Sequence, residues 1–540
     1  MGLGSVFAKA VRDARVAMLA VFALLGIMIV AGGQVMASAY GSPEARAGLQ
    51  AITAAVPPSL RGLYGDPVAV DTTGGFISWH YGSYFALITG LWSILALSST
   101  LAVEARRGSL DLVLAGPHSR RRVALEKIAG HLVCLAIVAA ALGVVAWAAA
   151  SATALGPRDE ISPAAAAGFA VGIAVRSVVA GSVAFALAPV LGQGASAGIA
   201  GAVMLGGYLV HGYRTVVPAF GSLDGLTWWG WTAGHSPLAG TANWGGVAVA
   251  AGVAAVLLAA GVELFARRDV GVTAAIPAPG LPDAVLGVRG VLGRSFGDLL
   301  PGAVWWGVGL GVYGAAMAAA SRSILDLLSE APALTAAFRS VIPGLDITTA
   351  AGFLQLAFAD LGFVLVGLAA ATFIANRWAD EAAGRFELLL ATPVSRARWA
   401  VASGVAGWLA VGALTLLLAV AVATGIAGVG QDPLGPAAGT VALALYGSAL
   451  VGLGMAVGGL VGASAAAPAV GAAAIGTFLL DTLAPILRLP DWVAQLALTT
   501  HLGEPMVGRW DASGVAACVA IAAVGVALGG WGLGRRDVRA

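Results

Sequence analysis

Long runs without a charged side chain dominate the chain. They cover 16–43, 72–103, 128–157, 177–213, 225–262, 299–321, 399–431, 433–480 and 512–534. About 20 mostly apolar residues make a helix long enough to cross the hydrocarbon core of a bilayer. The run 433–480 is too long for one crossing, and Gly462-Ala463-Ser464 with Pro468 punctuates it as a tight hairpin of two. The stretch 161–213 breaks likewise at Gly192-Gln193-Gly194 and carries Arg176 inside it. The stretch 347–376 holds one charge, Asp360, and still reads as a span. The pattern predicts twelve transmembrane helices, near 17–38, 79–103, 128–150, 164–190, 195–213, 243–265, 301–321, 351–375, 400–425, 436–461, 466–486 and 513–534. The fold class is an all-α polytopic membrane protein.

Composition agrees. The 540 residues are 59% hydrophobic and 10% charged, against roughly a quarter charged in soluble domains. The net charge of +2 makes no case for nucleic acid as a partner. Cys134 and Cys518 both sit in apolar runs, so a disulfide framework is excluded. The six histidines, 80, 118, 131, 211, 235 and 501, show no zinc-ligand spacing, and no metal site is predicted. Of 29 basic residues only Lys9 and Lys127 are lysines, and neither lies in Gly-Lys-Ser/Thr. The phosphate loop of an ATPase needs that lysine to reach the phosphates. If ATP drives this chain, another polypeptide hydrolyses it. The arginine excess, with Ala and Gly throughout, points to a GC-rich bacterial genome.

Residues 3–15 read as a surface helix before the first span. That span, ending near Ala37-Ser38-Ala39, has the look of a signal peptide, but eleven further spans favour an uncleaved helix. With the N-terminus inside, the cytoplasmic segments hold 20 Lys and Arg and the opposite side 8, which places both termini in the cytoplasm.

The chain is written twice. Thr72-Thr73-Gly74-Gly75-Phe76 matches Thr348-Thr349-Ala350-Ala351-Gly352-Phe353 with one insertion. Gly108 through Arg120 matches Gly384 through Arg396. His235 and Trp244 match His501 and Trp510, and Arg267-Arg268-Asp269-Val270 matches Arg535-Arg536-Asp537-Val538. Each half holds six spans, so the repeats are parallel and a pseudo-two-fold axis along the membrane normal relates them. The expected organisation is a first half at 1–270, a cytoplasmic Pro/Gly-rich linker with a surface helix around Val288–Asp298 at 271–299, and a second half at 300–540.

The most informative element is the cytoplasmic loop after the second span of each half. One copy contains Glu104, Gly108, Asp111, Leu112, Pro117, Ser119 and Arg120. The other contains Asp380, Gly384, Glu387, Leu388, Pro393, Ser395 and Arg396. Acidic and basic residues flank a Leu-rich turn too short to span, which suits a short helix on the membrane surface. Proline ends it, and Ser119 or Ser395 caps the next span. A single such loop would be an ordinary solvated turn. A repeated pair suits docking on a pair of soluble subunits.

This acid–Gly–acid–Leu–Pro–Ser–Arg run resembles the coupling loop of type-2 ATP-binding cassette exporter permeases. The double-length form is similar to the fused twelve-span polyketide-antibiotic (tetronasin-type) exporter permeases of actinobacteria. The resemblance implies two copies of a separate ATPase subunit as partners, ATP and magnesium bound there and not in this chain, a small-molecule substrate, and a bacterial plasma membrane. It implies that the two loops are the ATPase-coupling elements. The second copy departs at Ser403, where the first has Lys127, and at Gly407, where the first has His131.

Asp360 and Arg176 lie deep in spans eight and four. A mid-membrane charge costs about 2.5–3.5 kcal/mol on insertion scales and normally faces the bundle interior. Either they line the transport path, with Ser83 the repeat counterpart of Asp360, or they form an ion pair across the two halves; otherwise each bonds helices within its own half, or Asp360 is simply protonated. Asp481 and Glu263 read as interfacial. Gly194-Ala195-Ser196-Ala197-Gly198 matches a nucleophile elbow by letters, but it opens a span and reads as small-residue packing. The run Thr227-Trp228-Trp229-Gly230-Trp231, with Trp492 and Trp510, reads as interfacial anchoring. The rival function is a proton-coupled secondary transporter with Asp360 as its proton site. The repeated loop weighs against it, because such a carrier docks no ATPase. A membrane-embedded enzyme lacks a carboxylate or metal constellation.

Overall fold

The computed structural model describes residues 5–54, 61–62, 65–106, 116, 119–215, 217–267, 290–330, 335, 346–382, 386, 391, 393–487 and 490–536. The chain divides into two compact units, Met1–Pro277 and Ala278–Ala540. Among the described residues, eleven helices are long and apolar enough to cross a bilayer, and one bent pair brings the number to twelve. Each corresponds to one span predicted from the apolar stretches of the sequence. Among the described residues there is one two-stranded antiparallel ribbon, Gly503–Glu504 with Arg509–Trp510, and an isolated bridge between Ser236 and Thr241.

The first unit contains α1 (Val6–Ser38), α2 (Pro43–Ala54), α3 (Thr73–Arg106), α4 (Arg120–Thr153), α5 (Pro163–Gly212) and α6 (Trp244–Arg267). Serine starts three of these helices. Ser5, Ser119 and Ser162 sit in extended backbone, and each hydroxyl accepts from the amide three residues on. That satisfies one of the orphan donors at a helix start. The double span α5 bends at Gly192, whose φ of +77° suits a residue without Cβ. Leu25 and Ile29 of α1, Phe85 of α3, Leu135 and Leu142 of α4 and Phe169 of α5 form one buried cluster.

Arg46 on α2 ties the connections together. Its guanidinium pairs with Asp159 and donates to Tyr40 O at 3.0 Å and to Thr153 O, at the end of α4, at 2.8 Å. Asp159 also accepts from Leu155 N at 2.8 Å. Both side chains are buried, and the several hydrogen bonds around them compensate the charge.

The second unit contains α7 (Val291–Glu330), α8 (Ala350–Leu354), a π-helical turn at Gln355–Ala359, α9 (Asp360–Arg377), α10 (Arg396–Gly428), α11 (Leu434–Leu460), α12 (Ala463–Leu487) and α13 (Ala512–Arg535). Across the π turn the eighth span bends by 47°. The expected hairpin break falls at Gly462, φ +141°, and Pro468 is absorbed into α12. Helices α11 and α13 touch backbone to backbone. A Cβ on Gly459 would lie 2.2 Å from Gly529 O, and one on Gly525 would lie 2.4 Å from Gly452 O. Close approach through small residues is what packs helices where lipid supplies no hydrophobic drive.

Two segments differ from expectation. Residues 6–15 are continuous with the first span, and residues 291–298 run into the seventh, so neither is a separate surface helix. No Gly or Pro lies between residues 6 and 17, and the charged Arg12, Asp13 and Arg15 are carried on the exposed face of α1; in α7 Pro301 is absorbed within the continuous helix.

Candidate functional site

Much of the paired loop lies outside the described residues: Gly108, Asp111, Leu112 and Pro117 in the first copy, and Gly384, Glu387 and Leu388 in the second. Glu104 falls in the last turns of α3, Asp380 in the one-turn helix Ala379–Ala382, and Asp360 at the start of α9. Their side chains also lie outside the described residues.

The frame around each loop is described. In the first unit Ser119 caps α4 through Arg122 N at 3.3 Å. Arg121 pairs with Glu263 of α6 at 2.8 Å, and Arg267 approaches the same carboxylate at 3.4 Å. Arg122 holds Glu126 at 2.9 Å, and Glu126 accepts from Phe7 N, in the first turn of α1, at 3.1 Å. In the second unit Ser395 caps α10 through Arg398 N at 3.2 Å, and Pro393 is exposed. Arg396 donates to Leu533 O at 3.3 Å and to Arg536 O at 2.8 Å, and Arg536 pairs with Glu381. In both units, therefore, an arginine in the first two residues of the third span is tied to the end of the sixth. The chemistry differs: a carboxylate receives it in one unit, main-chain carbonyls in the other.

Phe386, inside the second loop, is buried against Trp399 of α10 at 4.7 Å between ring centroids, and Trp399 meets Trp378 at 5.1 Å. The rings set Phe386 beside the start of α10 and, through Trp399, the end of α9.

The two departures between the copies mark different interiors. His131 is buried, its Nε2 is 2.7 Å from Ser93 Oγ on α3, and Trp92 meets the ring edge-on at 5.3 Å. Lys127, one turn earlier, is buried as well. In the second unit Val451 fills the space beside Gly407, and Ser403 is buried. The Ser93–His131 pair was not anticipated; only the mismatch between the copies pointed at it.

Arg176 serves the segment between the fifth and sixth spans. Its guanidinium donates to Thr232 Oγ1 at 2.9 Å, Thr232 O at 3.0 Å and His235 O at 3.3 Å. His235 is buried, with Nδ1 accepting from Asn243 N and Nε2 donating to Gly168 O, both at 3.2 Å. Burial pushes its pKa below the ordinary value, and the Arg176 charge pushes the same way against the Gly168 hydrogen bond. Ser83 is half-buried on α3, and the structure does not bring it to Arg176 through any hydrogen bond. Trp228 and Trp229 lie on a one-turn helix, Trp228–Trp231, between the fifth and sixth spans. Both are buried in the unit's core, with Trp229 Nε1 donating to Met204 O at 3.1 Å. The satisfied indole N–H is what allows a tryptophan inside. Trp492 and Trp510 are exposed. Ser196 is buried and donates to Gln193 O at 3.0 Å, which closes the break in α5.

Residues 300–533 match the family described as the C-terminal domain of the multidrug efflux system permease Rv1217c. The second unit is thus similar to a domain of an efflux permease, over less than half of the chain. No curated protein matches the chain by sequence.

Proposed function

We propose that the chain is the membrane-spanning permease subunit of an ATP-driven exporter of the ATP-binding cassette type, moving amphipathic or hydrophobic small molecules out of a bacterial cell. The observation that carries this reading is the similarity of residues 300–533 to a multidrug efflux permease domain, joined to the repetition of that half's landmarks between Thr72 and Val270. On this reading 1–270 and 300–540 are parallel six-span halves about an axis along the membrane normal, 271–299 links them, and both termini are cytoplasmic. Two ATPase copies dock on the loops at 108–116 and 384–392 and hold the ATP and magnesium. The arginine ties from the third span to the sixth then pass a displacement of the loop into two spans at once. Asp360 faces the path, and Arg176 braces its outer connection.

The test is the double variant Asp111→Arg/Glu387→Arg, reconstituted with the copurified ATPase. Reversing charge at a docked contact costs more than truncating it, so assembly weakens or export per ATP falls. Single variants are milder than the double. A chain that copurifies no ATPase, or whose export collapses with the proton gradient while ATP is maintained, refutes the proposal.

A further inference from the structure

Helices α4 and α5 of the first unit leave a cavity of about 470 Å³ along their contact. Its lining runs from Ala136 to Trp147 on α4 and, in the opposite direction, from Ala174 to Pro163 on α5. The floor is Ala139 and Gly143 of α4 with Ala166 and Ala170 of α5, all four buried. The helices touch there: a Cβ on Gly143 would lie 2.9 Å from Ala166 O. Small residues let two helices approach closely in lipid. The same small residues supply no side chain to fill the space above them. The rim, with Val144, Trp147 and Val171, is exposed. The cavity is therefore a trough, floored by backbone and open along one side.

Chemistry narrows what fills it. The lining is Ala, Gly, Val, Pro and Trp, and the Trp147 indole holds its one polar side-chain atom. An ordered water makes about three hydrogen bonds to its surroundings, and this trough does not offer them. Atoms beside an unfilled gap forfeit their dispersion contacts, so the occupant is apolar. Depth narrows it further. The charge-free run of α4 begins at Ile128, after Lys127. About 20 residues cross the hydrocarbon core, which carries the count from Ile128 to Trp147 and puts the midplane near Ile137. The trough thus covers the half from the midplane to one boundary. Its length on α4 is about 16 Å by helical rise, and one leaflet's share of the core is about 15 Å. The rim continues into further exposed apolar surface of α4 at Val133 and Ile137, the surface that a membrane-spanning helix gives to lipid.

The boundary end is polar. Trp147 is 42% exposed and makes no hydrogen bond among the described residues, which leaves its indole N–H for an ester carbonyl at the interface. Arg158 and Glu160, both exposed, stand on the turn that joins α4 to α5. Arg158 pairs with Asp71 at 3.1 Å and its side chain is still 75% exposed. One charge of each sign complements the phosphate and the amine of a zwitterionic headgroup. We propose that the trough seats one acyl chain of a zwitterionic phospholipid, with the ester end at Trp147 and the terminal methyl near Ala136 and Ala174. The leaflet is the one beside the α4–α5 turn, the outer leaflet on the orientation proposed above. The seated chain completes the packing of the α4–α5 hairpin, and it does so whether or not an ATPase docks.

The experiment uses the full chain in nanodiscs of phosphatidylethanolamine and phosphatidylcholine. The probe is a phosphatidylethanolamine with a diazirine on one acyl chain, either at the terminal carbon or beside the ester. After irradiation the labelled residues are mapped by peptide mass spectrometry. The terminal probe should label the inner end of the trough, Ala136, Ala139, Ala170 and Ala174, and the ester-side probe should label Trp147 and Pro163. Both should exceed the labelling of Val256, an exposed residue of α6, several-fold. Ala140→Phe/Ala167→Phe sets two rings in the trough, and labelling inside it should fall about fivefold or more as the chain loses its contacts, with Val256 unchanged. Ala148→Phe, exposed on α4 outside the lining, should change neither. If the double variant is not monodisperse, the depth order of the two probes on the parent chain carries the test. Labelling no stronger in the trough than at Val256, or the same residues marked by both probes, overturns the site. Protein cross-links into a trough that neither probe reaches overturn it too, and give the trough to another polypeptide.

Discussion

Arg536 reaches back across 155 positions to pair with Glu381, and the two side chains are 21% and 10% exposed. The pair joins the end of α13 to the approach to the second loop. Arg536→Ala would leave a mostly buried carboxylate without its cation. Truncating one partner of a fully buried pair costs about 3–5 kcal/mol, and partial exposure brings the expectation here to about 2 kcal/mol. Removing both, Arg536→Ala/Glu381→Ala, should restore much of that. Apparent melting temperatures in detergent for the two singles and the double give the coupling. Additive losses would mean that the pair contributes nothing of its own.

The contact between α11 and α13 predicts intolerance of any side chain at Gly459 or Gly525. A Cβ there meets backbone, which cannot rotate away. Gly525→Leu should cost at least the 1–3 kcal/mol of an overpacked core. Gly534→Leu, with open space around it, should be neutral. Expression and thermal stability of the two variants side by side check this.

His235 makes the segment after the fifth span sensitive to acid. Its pKa is depressed in the folded chain, by burial first. The unfolded state therefore takes up a proton more readily, and stability is full above the ordinary histidine value near 6.5 and falls as pH drops through and below it. The protonated ring would also turn a donor toward Asn243 N–H, where now it accepts. Amide protection factors across 232–243, corrected for the intrinsic slowing of exchange in acid, should fall between pH 7.5 and 5.5, and His235→Gln should flatten that response. A segment equally protected at both pH values rules it out.

Ser93→Ala should destabilise the first unit by about 1–3 kcal/mol. It strands His131 Nε2 in a place where Nδ1 already lacks a partner. Ser93→Ala combined with His131→Gly, which imitates the residue at 407, should recover part of the loss in the same melting assay.

Asp360→Asn separates path from proton site. An exporter with Asp360 on its path should show altered substrate-stimulated ATPase activity with membrane expression intact. Complete loss of transport, together with loss of sensitivity to the proton gradient, is the secondary-carrier outcome.

Most spans were legible because they are charge-free runs bounded by residues with their own physics; those holding Arg176 and Asp360 carry a single charge each. Gly192 and Gly462 broke two overlong runs where the backbone needs a positive φ, and Ser119 and Ser395 started helices where an orphan amide needs an acceptor. What escaped depends on distance along the chain. Ser93 and His131 are 38 positions apart, Arg46 and Asp159 are 113, and Glu381 and Arg536 are 155. No local pattern encodes such meetings, since each requires two helices to be packed first. The burial of Trp229 is of the same kind: its indole N–H meets a carbonyl, Met204 O, 25 positions away.

The glycine contact between α11 and α13 also bears on biosynthesis. α11 leaves the ribosome while α12, the ribbon and α13 are still unmade. Until α13 is inserted, the bare backbone stripe at Gly452 and Gly459 faces lipid or whatever chaperones the nascent chain. Arg536 follows directly behind α13, so the pairing with Glu381 forms only once that stripe is covered. The order of synthesis thus makes the closing ion pair a record that the second unit has been completed, and a chain cut short before α13 should expose to quality-control proteases a groove that the finished protein never shows.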